Sequence, residues 1–119
     1  MSDIKIFLRK EKRIDNKQII YLRSPYFKGE EYLYVNLKYI ADHNSSIAVL
    51  ENDFDFKTET ILKSEKNYKL YNGIIRKAKG RAEEIILKYQ ALNRKLTKTL
   101  FKNEFLFGKT SSDNSFLEY

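Results

Sequence analysis

The chain has 119 residues, 42% of them apolar, enough for one domain with a modest core and too few for two of ordinary size. With no cysteine and a single histidine, His43, a disulfide framework, a thiolate metal site and a histidine cluster are all excluded. Its 23 Lys and Arg against 16 Asp and Glu give a net charge of +7, which fits either an anionic partner or a solvated lysine surface.

The charge is segregated along the chain. Residues 1–40 carry +4, residues 41–65 carry −4, residues 66–109 carry +9 and residues 110–119 carry −2. Two basic blocks therefore flank an acidic one, as expected where basic surfaces face phosphate and the acidic segment stays clear of it. No apolar run approaches the roughly 18 residues of a membrane span, and MSDIKIFLRK lacks the apolar core of a signal peptide, so a soluble cytoplasmic protein is expected.

In the first element Ile4, Ile6 and Leu8 alternate with Lys5, Phe7 and Arg9, the period-two pattern of a half-buried strand. The segment KEKRIDNK, residues 10–17, has no periodicity and holds an Asp-Asn pair, so it reads as a hairpin loop with four cations. Lys10, Lys12, Arg13 and Lys17, with Lys28 further on, are candidates to lie along a phosphate backbone; a solvated hairpin tip is the other reading. A second strand over Gln18–Ser24 places Ile20 and Leu22 in the core and Ile19, Tyr21 and Arg23 outside, and Pro25 ends it by removing a ladder donor. A third strand over Glu31–Lys38 places Leu33, Val35 and Leu37 inside.

The outward set is then Lys5, Phe7, Arg9, Tyr21, Arg23, Tyr32, Tyr34, Asn36 and Lys38. In one reading these aromatics merely pair across strands and shield the sheet. In another the strands enter a DNA major groove, where Arg and Lys bond guanine, Asn bonds adenine and Tyr hydroxyls reach phosphate. An RNA-binding sheet is a third reading, without the RNP motif that would favour it.

From Tyr39 to Ser64 the sequence is acidic and less regular. Residues Ile47–Leu50 form a candidate fourth strand, and Phe54 and Phe56 are expected to anchor the loop to the core. Glu51, Asp53, Asp55 and Glu59 lack the Gly-centred spacing of a calcium loop, so no metal and no cofactor is expected. A long helix follows over about 66–96, with Tyr71, Ile75, Ala78, Ala82, Ile85, Tyr89, Leu92 and Leu96 on one apolar stripe beneath the sheet. Gly73 and Gly80 within it mark close contact with the sheet or a weak point. The run Arg76, Lys77, Lys79 and Arg81 reads as a solvated face or a flanking phosphate contact. At about 46 Å the helix would outrun a three-stranded sheet, so its second half is expected to project. Thr97 or Thr99 caps a short helix over about 98–107 with Leu100, Phe101, Phe105 and Leu106 apolar, and Gly108 ends it.

The fold class expected is α+β, a small antiparallel sheet of three to four strands on one long helix followed by a short one. Residues 1–108 form the domain, and residues 109–119 read as a linker and the truncated start of a following domain. FLRK, IIYLRS, SSIAVLENDFDFKTETI, YNGIIRKAKGRAEEIILKY and TLFKNEFLFG before SFLEY together resemble the N-terminal arm-type DNA-binding domain of tyrosine recombinases, the integrases of phages and conjugative transposons. Where that family reads a Ser-Thr-Gly-Ile segment and a Trp-Asp pair, this chain has Ser45-Ser46-Ile47 and Phe54-Asp55. The resemblance implies a sheet that enters the major groove of arm sites near the ends of a mobile element in a bacterial cell. It also implies a following core-binding domain beginning near SFLEY, and further protomers as partners of the full-length protein.

The family's catalytic domain lies outside this chain, and Tyr119 has no accompanying catalytic set. One histidine and no cysteine leave no nucleophile-base pair, and no Gly-rich phosphate loop occurs. A non-enzymatic domain is expected, with neither membrane nor small-molecule substrate as partner. Two functions stay open: sequence-specific binding of double-stranded DNA by the sheet face, and a protein-interaction module built on the Tyr-rich face or a projecting helix.

Overall fold

The computed structural model describes residues 4–41 and 46–107, apart from residue 28 and the side chains of residues 12 and 41. The expectations for Lys12, Lys28, the Gly108 helix stop and the 109–119 linker fall outside the described residues. The architecture is α+β. Strands β1 (Lys5–Ile14), β2 (Lys17–Arg23), β3 (Tyr34–Asn36) and β4 (Ala48–Val49) form an antiparallel sheet, with helix α1 (Lys38–Ala41) between β3 and β4. A small hairpin of β5 (Phe54–Asp55) and β6 (Thr60–Ile61) leads to the long helix α2 (Tyr68–Ala91) and the short helix α3 (Lys98–Phe107). No helix among the described residues is long and apolar enough to cross a membrane.

Register follows from the alternation. Ile6 pairs with Leu22 and Leu22 with Val35, while Leu8 pairs with Ile20, so the apolar residues form aligned rows on one face. These rows are buried in one core with Ile74, Ile75, Ala78, Ala82, Ile85 and Tyr89 of α2 and Phe101 and Phe105 of α3. β3 and β4 share one edge of β2 end to end, β3 against Tyr21–Arg23 and β4 against Gln18–Ile19. In effect they are one strand interrupted by an excursion that carries α1.

Several expectations are corrected. The basic loop over 10–17 is largely strand: β1 runs to Ile14, which pairs with Lys17 across a two-residue turn, with Asp15 at φ +56°. Between Arg9 and Arg13 the register shifts, because β1 spends three extra residues there as a bulge. The third strand covers three residues rather than eight, so Tyr32 precedes it and Lys38 already belongs to α1. Ile19, expected outside, is buried between Arg9 of β1 and Ala48 of β4. Phe54 is buried as expected, but Phe56 is 51% exposed, its ring set T-shaped against Phe54 at 4.9 Å.

Helix α2 is 24 residues, about 36 Å at 1.5 Å per residue, because Asn93 at φ +54° closes it. The Arg94 N–H reaches the Tyr89 carbonyl and the Asn93 N–H the Gln90 carbonyl, a Schellman stop. Leu92, expected on the stripe, is therefore 54% exposed. The second half of α2 does not project, since α3 folds back on it. There the Tyr89 hydroxyl donates to a Glu104 carboxylate oxygen at 2.7 Å, and Lys88 pairs with the same carboxylate. Burial, reinforced by the Glu104 carboxylate, raises the Tyr89 pKa and keeps the hydroxyl a donor. Thr97 is the cap of α3, its hydroxyl accepting from the Leu100 N–H at 3.2 Å. Neither Gly73 nor Gly80 approaches the sheet; a Cβ on Gly80 would meet nothing within 4 Å.

Candidate nucleic-acid interface

The face of the sheet opposite the helices carries its own aligned rows. Lys5 pairs with Arg23 and Arg23 with Tyr34; Phe7 pairs with Tyr21 and Tyr21 with Asn36; Arg9 pairs with Ile19. Residues directly opposed across a strand pair share a face, so these rows form one contiguous cationic and aromatic surface.

The surface is ordered by ring contacts. The guanidinium carbon of Arg9 lies 5.0 Å from the Tyr21 ring centroid and 5.1 Å from that of Tyr34, and Phe7 meets Tyr34 edge-on at 5.7 Å. Arg23 lies 4.2 Å from the Tyr32 ring, which in turn meets Tyr26 at 5.8 Å. Glu11, on the bulge, grips Arg9 through Nε at 3.1 Å and Nη2 at 2.7 Å. That bond raises the Arg9 pKa above its ordinary value, so the guanidinium stays charged. The bulge is braced by Arg13, whose Nε donates to the Lys10 carbonyl at 3.0 Å.

Other predicted contact residues are held internally. Asn36 donates from Nδ2 to Ser46 Oγ at 2.8 Å and accepts the Lys38 N–H at Oδ1, so its amide fastens the start of the excursion to its end. Lys5 approaches Glu59 at 3.8 Å and Lys17 approaches the buried Glu65 at 3.9 Å. Of the basic run on α2, Lys79 pairs with Glu59 and Arg81 lies 5.8 Å from the Phe105 ring, leaving Arg76 and Lys77 on the exposed face.

The acidic segment is structural. Glu59 Oε1 accepts the Ile6 N–H at 3.2 Å and so satisfies a donor on the open edge of β1. Backbone N–H groups of Thr58 and Lys57 lower the Asp55 pKa and fix the β5–β6 turn. No group of three metal-ligating side chains occurs among the described residues.

Three features escaped the sequence reading: the Glu11 grip, the edge-capping Glu59, and an open cleft beside β3. The cleft, about 440 Å³, is lined by Tyr21, Leu33, Tyr34, Val35, Asn36, Lys38, Tyr39, Lys102 and Leu106. Lys102 follows the buried Phe101 on α3, so helical spacing alone places it off the core side.

Comparison with protein-family profiles, curated proteins and solved structures gives no match. The functional reading of this surface therefore rests on its chemistry.

Proposed function

We propose that the sheet face opposite the helices binds duplex DNA in the major groove, as the arm-site-binding part of a site-specific recombinase. The chain itself performs no chemistry in this reading. The supporting observation is the set of rows Lys5–Arg23–Tyr34 and Phe7–Tyr21–Asn36, with Arg9 beside them, aligned on that face. Three strands about 4.8 Å apart span about 10 Å, which suits a groove about 12 Å wide. Arg9 and Arg23 are the base readers, since a guanidinium stacked on tyrosine presents its donors as a fixed fork. Lys10 and Arg13, on the bulge at the β1 edge, meet one phosphate backbone.

The ion pair between Arg9 and Glu11 does not oppose this. The Arg9–Glu11 pair is open to solvent, and such a pair contributes about 0–1 kcal/mol, so its release costs little. A bidentate arginine then discriminates guanine from other bases by about 1–3 kcal/mol.

A salt titration tests the reading. Fluorescence anisotropy on a labelled duplex should give log affinity falling linearly with log salt, with a slope of about −0.9 for each phosphate contacted. Absence of duplex binding at low salt would defeat the proposal and favour a protein partner for the tyrosine-rich face.

A further inference from the structure

The cleft beside β3 assigns a second phosphate site to α3. Resting on the major-groove reading, we propose that Lys102, with Lys38, holds the DNA backbone that borders the groove on the β3 side.

The cleft is lined both by Tyr21 and Tyr34 of the outer rows and by Lys102 and Leu106 of α3, so it joins the β3 side of the sheet to that helix. No acidic residue lines it. Among the described residues neither Lys38 nor Lys102 has a carboxylate within the 4.0 Å of an ion pair; Lys38 lies 5.3 Å from the Tyr39 ring. This separates them from Lys5, Lys17, Lys79 and Lys88, each of which has a glutamate partner.

The geometry selects a phosphate chain over a single base. A sheet about 10 Å wide nearly fills the groove, so whatever flanks it meets the sugar-phosphate walls. On the β1 side those flanks are the bulge cations. On the β3 side the basic groups that line the open cleft are Lys38 and Lys102. The exposed Tyr34 and Tyr39 add hydroxyl donors suited to phosphate oxygens. α3 is firm enough for the task, since Phe101 and Phe105 are fully buried beneath it and Glu104 ties it to α2.

The test compares wild type with Lys102→Gln and Lys38→Gln on a preferred duplex, selected from a randomised pool, and on its scrambled counterpart. Each substitution should weaken both duplexes alike, by about fivefold to tenfold at 0.1 M salt, and reduce the salt slope by about one. Circular dichroism and thermal midpoints should match wild type, because Lys102 is exposed and outside the core. Wild-type binding with unchanged slopes in both variants would overturn the α3 site and leave the sheet reading intact. Failure of wild type to bind duplex would instead overturn the sheet reading itself. A variant that lost binding to an acidic peptide while keeping its duplex affinity would assign the cleft to protein and also overturn the proposal.

Discussion

Phe101→Ala should destabilise the protein by about 3–5 kcal/mol, a large part of the 5–15 kcal/mol available to a typical domain. Phe101 is fully buried, stacks on Phe105 with ring centroids 5.4 Å apart, and reaches Phe27 at 6.0 Å. Phe27 lies in the connection between β2 and β3, so this one ring joins α3 to the segment that positions the third strand. Truncation removes the apolar area and leaves a cavity between elements that cannot close on it without moving α3. Urea unfolding followed by circular dichroism measures the loss. Phe107→Ala, at a side chain 63% exposed on the same helix, should stay within about 0.5 kcal/mol of wild type. A loss below about 1 kcal/mol for Phe101→Ala would mean that α3 is not docked as described.

Arg9→Gln and Arg23→Gln should each cost about 1–3 kcal/mol of discrimination between a preferred duplex and its scrambled counterpart, roughly fivefold to 150-fold. The expectation follows from position. Both guanidiniums lie on the outer rows, each over a tyrosine ring, which restricts the fork and reduces the entropy lost on binding. Arg13→Gln, on the bulge, should weaken both duplexes by similar factors, because a phosphate contact carries no sequence information. Competition anisotropy separates the two outcomes. Equal losses on both duplexes for Arg9→Gln and Arg23→Gln would reduce these residues to backbone contacts.

Much of the fold was legible because it is written locally. The alternation of Ile6 and Leu8, of Ile20 and Leu22, and of Val35 and Leu37 assigns the core face. Ile75, Ala78, Ala82, Ile85 and Tyr89 at steps of three and four assign the buried side of α2. What was not legible depends on contacts between distant residues. Nothing near Glu59 indicates that it accepts the Ile6 N–H across 53 positions. The brevity of β3 is equally hidden: Tyr32, Leu33 and Lys38 continue the alternation, but at one end the Leu33 N–H turns to the Ser24 side chain instead of a strand carbonyl, and at the other the Asn36 amide engages Ser46 and the Lys38 N–H where the excursion begins. Phe56 has the same parity as Phe54, yet β5 ends at Asp55 and the turn carries the ring outward.

The site was legible in part for the same reason. Parity put Lys5, Phe7, Arg9, Tyr21, Arg23 and Tyr34 on one face, and pairing brings them together. It could not show that the Asn36 amide is occupied, that Glu11 holds Arg9, or that Lys102 and Lys38 line one cleft.

The most direct measurement is a map of backbone amide shifts by nuclear magnetic resonance as a duplex is added at low salt. Binding through the sheet predicts that the largest changes fall on Phe7, Arg9, Tyr21, Arg23 and Tyr34, with smaller ones at the β1 bulge and at Lys102. Changes centred instead on the exposed face of α2, around Arg76 and Lys77, with the sheet rows unmoved, would contradict it.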